Sequence, residues 1–331
     1  MHKNIVLEVN HLKQYFPIKT GVLRRTTGRV KAVDDISFEV HEQETFSLVG
    51  ESGCGKSTTG RTILRLLEPT EGDVFYNGRN LLDYSKRDFR KVRRDLQMIF
   101  QDPYSSLNPR MTVKQLLIEP VMTHNLASKK EAEKMVIAIA EKVGLSTEQI
   151  NRYPHEFSGG QRQRISIARA LIVKPKLVIL DEAVSALDVS IQAQILNLLI
   201  ELQKEFKLTY VFISHDLNVV RHVSDRVGVM YLGQMMETAA TDTLYDRPLH
   251  PYTQSLLSAI PSHDPSVKKK RIILKGDVPD PSDPPSGCPF HLRCPKVHDR
   301  CKIEKPIFKE SEPEHWVACH LYDNEELSLQ P

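Results

Sequence analysis

The chain has 331 residues, 40% of them hydrophobic and 26% charged, with a formal net charge of +3. That length sustains a full core and predicts two domains, or one large domain with an appendage. The near-balance of charge argues against an extended nucleic-acid surface, and no run reaches the about 18 apolar residues of a membrane-spanning helix. The start, Met1-His2-Lys3-Asn4, has one charge and no apolar signal region, which predicts a cytosolic protein whose membrane role comes through a partner.

In chain order, Ile5 to Val9 reads as a first strand, and Ile36 to Val40 alternates like a half-buried one. Gly21 to Arg29, polar and basic, reads as a surface excursion between them. Thr45 to Val49 is an apolar strand running into Gly50–Glu51–Ser52–Gly53–Cys54–Gly55–Lys56–Ser57, which matches G-x-x-x-x-G-K-[ST] without a gap. A helical pattern through Thr58, Ile63, Leu66 and Leu67 runs out of it. Strand, glycine-rich turn and helix together form a phosphate cradle: backbone N–H groups and the helix dipole face the anion. Lys56 would reach the terminal phosphates and Ser57 a magnesium ion. Nucleotide binding is the resulting hypothesis.

Gly72 to Gly78 reads as a strand entering an Asn-Gly turn, and Leu96 to Phe100 as another strand, ending at Gln101. The basic runs Lys86–Arg94 and Lys268–Arg271 read as solvated faces. From about 103 to 173 the pattern is helical: Ala132, Met135, Val136, Ile139, Ala140 and Val143 share a face closed by Gly144, and Gln161 to Val173 forms a second helix. Leu177–Leu180, Ile191–Phe206 and Tyr210–Ile213 then alternate strand, helix, strand, the pattern of a parallel-type sheet covered by helices. Past residue 245, prolines from Pro248 to Pro285 predict an irregular separate region.

Two further segments carry chemistry. The apolar strand Leu177–Leu180 ends in Asp181 and Glu182, which would place Asp181 beside the magnesium held by Ser57 and Glu182 as general base for water. In Phe157-Ser158-Gly159-Gly160-Gln161, Ser158 can cap a helix and the glycines allow close backbone approach.

This set resembles the ATP-binding cassette ATPases, whose signature loop is Leu/Phe-Ser-Gly-Gly-Gln; the resemblance covers about residues 5 to 240. It implies an α/β P-loop core of mixed sheet and flanking helices, with N-terminal antiparallel strands and an inserted helical subdomain at about 103–173. Gln101 matches the family's Q-loop glutamine, a magnesium and water contact. Ser185-Ala186-Leu187-Asp188 matches its D-loop and His215 its switch histidine. Phe16, with Tyr15 as neighbouring candidate, fits the aromatic that stacks on adenine. Gly50 through Thr58 with Asp181 would hold MgATP. Two such subunits pack head to tail in this family, so Ser158, Gly159, Gly160 and Gln161 would act on the partner's ATP.

Phe100 to Arg110 and Arg247 to Leu257 further resemble the ATPase subunits of oligopeptide and dipeptide importers, closest to the second, F-type subunit. The implied partners are a paralogous ATPase, two membrane permeases and an external solute-binding protein, at the cytoplasmic face of the membrane and without nucleic acid. Nickel or sugar import by the same subfamily, or a non-transport cassette, are the alternatives. The implied division is 1–245, ATP-binding, and 246–331, a cysteine-rich extension.

Cys288, Cys294, Cys301 and Cys319 are spaced C-x5-C-x6-C-x17-C in that extension, apart from Cys54 in the phosphate loop. A cytosolic setting disfavours disulfides, and C-x2-C zinc pairs are absent. An iron–sulfur cluster, zinc and free thiols all remain open from the residues; the family resemblance implies a [4Fe–4S] centre.

Overall fold

In the computed structural model residues 4–21, 25–260 and 271–323 are described. Met1 to Lys3, Val22 to Arg24, Pro261, Pro265 and the Lys268–Lys270 part of the basic run lie outside them. The first elements are β1 (Ile5–Thr20), β2 (Arg25–His41), β3 (Thr45–Val49), α1 (Lys56–Ile63), β4 (Glu71–Tyr76), β5 (Arg79–Asn80), α2 (Lys86–Val92) and β6 (Leu96–Ile99). A helical run follows: α3 (Pro103–Ser106), α4 (Val113–Thr123), α5 (Lys129–Lys142) and α6 (Gly159–Leu171). Then come β7 (Leu177–Asp181), α7 (Val189–Phe206), β8 (Thr209–Ile213), α8 (Leu217–Val223), β9 (Arg226–Tyr231), β10 (Gln234–Ala240) and α9 (Thr241–Asp246). The last are α10 (Pro251–Ser258), α11 (Asp299–Ile303), β11 (Lys309–Glu312) and β12 (His315–Val317). Among the described residues no helix is long and apolar enough to cross a membrane.

By internal contacts the chain forms two units. The first holds the described residues up to Leu7, Val40–Thr45 and Tyr76–Ile213. Its parallel strands run β8-β7-β6, with Leu177 opposite Leu96 on one side and Thr209 on the other. Every residue of β7 and β8 is buried, as their uninterrupted apolar runs require of a strand covered on both faces. Helix α6 packs on β6 and against α3, α4, α5 and α7. Three α-helix starts among the described residues of this unit carry the reciprocal capping box: Thr112 with Gln115, Ser128 with Glu131, and Ser158 with Gln161. Helix α5 closes on Gly144 at φ 75°, as its sequence predicts. In α2, of the basic run 86–94, only Phe89 is buried.

The second unit holds Glu8–Glu39, Phe46–Phe75 and everything described from Ser214 on. Strand β3 pairs in parallel with β9, which turns antiparallel into β10. A further sheet places β1 between β2 and β4.

Three expectations are corrected here. Arg25–Arg29 is not excursion but the start of β2, and β1 continues to Thr20. Helix α1 stops before Leu66 and Leu67. Arg65 takes φ 51°, its N–H bonds Thr62 O, and the Leu66 N–H bonds Arg61 O. This is a Schellman closure built on arginine where a glycine usually signals the end. The third concerns the proline-rich tail, which is not wholly irregular: β12 adds to β10 (Glu237 opposite Val317, Thr238 opposite Trp316) and β11 adds to β12.

What anchors that tail is Glu237, a fully buried acid in β10. Its Oε1 accepts from the Leu249 N–H at 2.7 Å and His315 Nε2 at 2.7 Å, and its Oε2 from the His250 N–H at 2.9 Å. A buried carboxylate is tolerated only when so compensated. His250 then caps α10, its Nδ1 accepting the Tyr252 N–H at 3.0 Å.

Glu237→Ala strands these buried donors and should lower stability by about 3–5 kcal/mol, read as a shifted urea midpoint with faster proteolysis of the tail. Burial pushes the His250 pKa down to about 4. Because the unfolded chain binds this proton near pH 6.5 and the folded one only near pH 4, the stability is complete above pH 6.5 and falls as pH drops between the two. His250→Asn, which keeps a cap acceptor, should flatten that part of a stability–pH profile.

Candidate functional site

In the second unit the phosphate-loop sequence folds as strand, turn and helix. Gly50, Gly53 and Gly55 sit at φ 148°, 80° and 106°, a region side chains avoid. A Cβ on Gly50 would lie 2.2 Å from Met230 O, and one on Gly55 2.1 Å from Ala32 O. Two of these glycines are therefore fixed by backbone approach as well as by φ. Gly55 caps α1 without any side-chain acceptor, leaving backbone N–H groups as the chemistry of that helix start.

Lys56 is buried and folds back on the loop, its Nζ donating to Gly50 O at 2.8 Å and Glu51 O at 3.0 Å. Burial pushes the neighbouring Cys54 thiol up despite the lysine, so it stays protonated. Ser52 lies in this turn, and Ser57 and Thr58 lie in the first turn of α1. On β1, Tyr15 is tied by its hydroxyl to Asp34 at 2.5 Å, whereas Phe16 is 37% exposed. Of the two aromatics, Phe16 is the more exposed. His215 lies exposed between β8 and α8, next to Asp216, which caps α8 by accepting from Asn218 and Val219 N–H groups.

In the first unit β7 delivers Asp181, buried, at its carboxyl end. Glu182 follows at φ 48°, its N–H bonded to Ile213 O at 2.9 Å. That left-handed turn redirects the side chain at the strand end, and Gln101 Nε2 donates to Glu182 Oε2 at 2.8 Å. Gln101 and Glu182, eighty-one positions apart, are thus brought together. Ser185 donates through its hydroxyl to Glu182 O, starting the exposed turn that ends at Asp188, the cap residue of α7.

Ser158 and Gln161 close the capping box of α6: the Gln161 N–H donates to Ser158 Oγ and the Ser158 N–H to Gln161 Oε1. Ser158 is exposed, and Gly159 and Gly160 are half-buried. A Cβ on Gly160 would meet Ile191 Cγ2 at 2.4 Å, so the second glycine lets α6 approach α7.

The four distal cysteines are free thiols; Cys288 and Cys301 are buried, Cys294 and Cys319 half-buried. Burial lifts Cys288 to about 12 and Cys319 to about 11, and raises Cys294 as well. Backbone N–H groups of Phe290, Lys296 and Leu321 reach the sulfurs two residues before them. Among the described residues, however, no three His, Cys, Asp or Glu side chains converge closely enough to hold a metal ion.

Two contacts gave no sequence signal. Arg293, between Cys288 and Cys294, makes a two-pronged ion pair with Glu51 of the loop, at 2.7 and 3.2 Å. Tyr252 accepts the Glu51 N–H on its hydroxyl at 2.9 Å. Both partners lie some two hundred positions from the loop, beyond any local pattern.

A strand–glycine turn–helix cradle, with a buried parallel strand ending in paired acids, is the fold of a P-loop nucleoside triphosphatase. The ABC transporter family profile matches residues 33–185, and that of the oligopeptide/dipeptide transporter C-terminal region matches 236–301. The oligopeptide transport ATP-binding protein AppF of Bacillus subtilis is 56% identical over 97% of this chain and 98% of its own length. OppF of Escherichia coli is 50% identical over 97% of each. A dimeric ATP-binding cassette in a post-hydrolysis state with ADP and Pi superposes at a TM-score of 0.63. It is 28% identical and covers 71% of this chain and 98% of that one. The chain belongs to the ABC transporter ATPase family, among its oligopeptide transport ATP-binding members.

Gly50→Ala should cost about 2 kcal/mol or more in folding and weaken MgATP binding at least about tenfold, measured by thermal unfolding and calorimetry.

Proposed function

We propose that this chain hydrolyses ATP to drive uptake of oligopeptides or dipeptides through membrane permeases. The observation that carries the reading is identity of 50–56% to oligopeptide transport ATP-binding proteins along nearly the whole length, extension included. Residues 1–245 are the ATP-binding domain and 246–331 its transporter-type extension. The working position is the cytoplasmic face of the membrane, bound to two permeases fed by an external binding protein.

The residue roles follow from chemistry. Lys56 and the N–H groups of the glycine turn take the phosphates, Phe16 the adenine, and Ser57, Gln101 and Asp181 the magnesium of MgATP. Glu182 accepts the proton of the attacking water; the hydrogen bond from Gln101 supports this, since it orients the carboxylate. His215 contacts the γ-phosphate. The exposed Ser158 N-terminus of α6 offers its N–H groups to the nucleotide of a second, paralogous ATPase, which completes the enzyme.

The cysteine cluster is the second part of the reading: Cys288, Cys294, Cys301 and Cys319 hold a [4Fe–4S] centre, or zinc. Support comes from four thiols in one extension and from N–H donors to three of the sulfurs, contacts that favour the thiolate against the burial that opposes it. Binding would require these raised thiols to release their protons and draw together. Anaerobic purification with absorbance and metal analysis tests it; colourless, metal-free protein removes the centre.

Glu182→Gln should cut turnover about 100-fold or more while trapping a nucleotide-bound dimer. Lys56→Ala should instead weaken MgATP binding by about tenfold or more. ATPase assays and gel filtration read both, and wild-type turnover in Glu182→Gln contradicts the general-base role. Reconstitution with permeases in vesicles decides the solute: uptake of nickel or sugar without peptide would replace the peptide reading.

A further inference from the structure

We propose that Arg293, in the cysteine-rich extension, is a positioning residue of the phosphate loop: it holds Glu51 and cancels its charge where polyphosphate must bind. The proposal rests on the ATP-binding reading above. A loop that receives a polyanion carries, as its second residue, a carboxylate. Left alone, that charge repels the ligand; screened by a guanidinium fork, it becomes a handle on the loop.

The geometry is that of a built contact. Arg293 Nη1 reaches Glu51 Oε2 at 2.7 Å and Nη2 reaches Oε1 at 3.2 Å, with side chains 10% and 28% exposed. The guanidinium also lies 5.9 Å from the Tyr231 ring centre and within 3.5 Å of its hydroxyl. Among the described residues Arg293 Nε is buried with no hydrogen-bond partner, so its placement is dictated by the Glu51 fork and the packing around it.

The segment bearing Arg293 is itself fixed. Phe290, fully buried, meets Tyr231 and Tyr252 at 5.3 Å each, and the Tyr252 hydroxyl takes the Glu51 N–H. Glu51 is therefore gripped by side chain and backbone together. Its carbonyl in turn accepts from Lys56 Nζ and from the Cys54 N–H. Arg293 acts on the lysine through one residue.

The test is MgATP binding by calorimetry to the full-length chain at low and high salt. It compares wild type, Arg293→Ala, Arg293→Lys, Glu51→Gln and the Arg293→Ala/Glu51→Gln double variant, with melting temperatures alongside. Arg293→Ala should bind about tenfold more weakly at low salt, the deficit shrinking at high salt. Arg293→Lys should stay within about threefold of wild type. Removing the repelling carboxylate in the double variant should restore most of the loss, which a mere structural brace would not do. Should Arg293→Ala fail to fold, Arg293→Gln carries the same comparison. Unchanged binding in Arg293→Ala, or no restoration in the double variant, overturns the proposal. Wild-type protein that binds no MgATP overturns the ATP reading instead, which keeps the two failures apart.

Discussion

A single buried carboxylate governs how the C-terminal extension of this protein is seated. Glu237 is fully buried, so its position is set by donors that must come from elsewhere in the chain. They come from two places: the backbone of Leu249 and His250, and the ring of His315. The acid thereby fixes at once where the chain leaves α9 and where β12 lands. From His250 the order passes to α10 by capping, and from α10 to the Tyr252 hydroxyl that meets Glu51. A core acid in one strand is thus connected, step by step, to the loop that carries the chemistry.

Much of this was legible in the residues. Leu177–Leu180 and Tyr210–Ile213 read as strands because a short unbroken apolar run has few other fates, and Thr45–Val49 read as one running into the loop; all three are buried strands. Ser158 announced a helix start as a capping residue; the structure begins α6 at Gly159 and adds the reciprocal bond from Gln161. The glycines of the loop were equally readable from their spacing: all three take positive φ, and at Gly50 and Gly55 a neighbouring carbonyl also leaves no room for a side chain.

What escaped the sequence was of a different physical kind. Arg65 ends a helix and Leu232 opens a hairpin, both at positive φ, where tertiary context overrides the usual preference for glycine. His315–Val317 is too short to show strand periodicity and exists because β10 offers an edge. The contacts of Gln101 with Glu182 and of Arg293 with Glu51 join residues remote in sequence, so only the folded chain reveals them. The phosphate loop is readable alone; what steadies it is not.

The pairing of β12 with β10 also gives the molecule an optical signature. The chain has one tryptophan, Trp316, opposite Thr238, 39% exposed and stacked at 5.9 Å on Phe308. Its emission comes wholly from the extension and from the strand next to the one bearing Glu237. The colour of that fluorescence therefore tracks whether the tail is seated, with no label attached and no tryptophan signal from the rest of the chain.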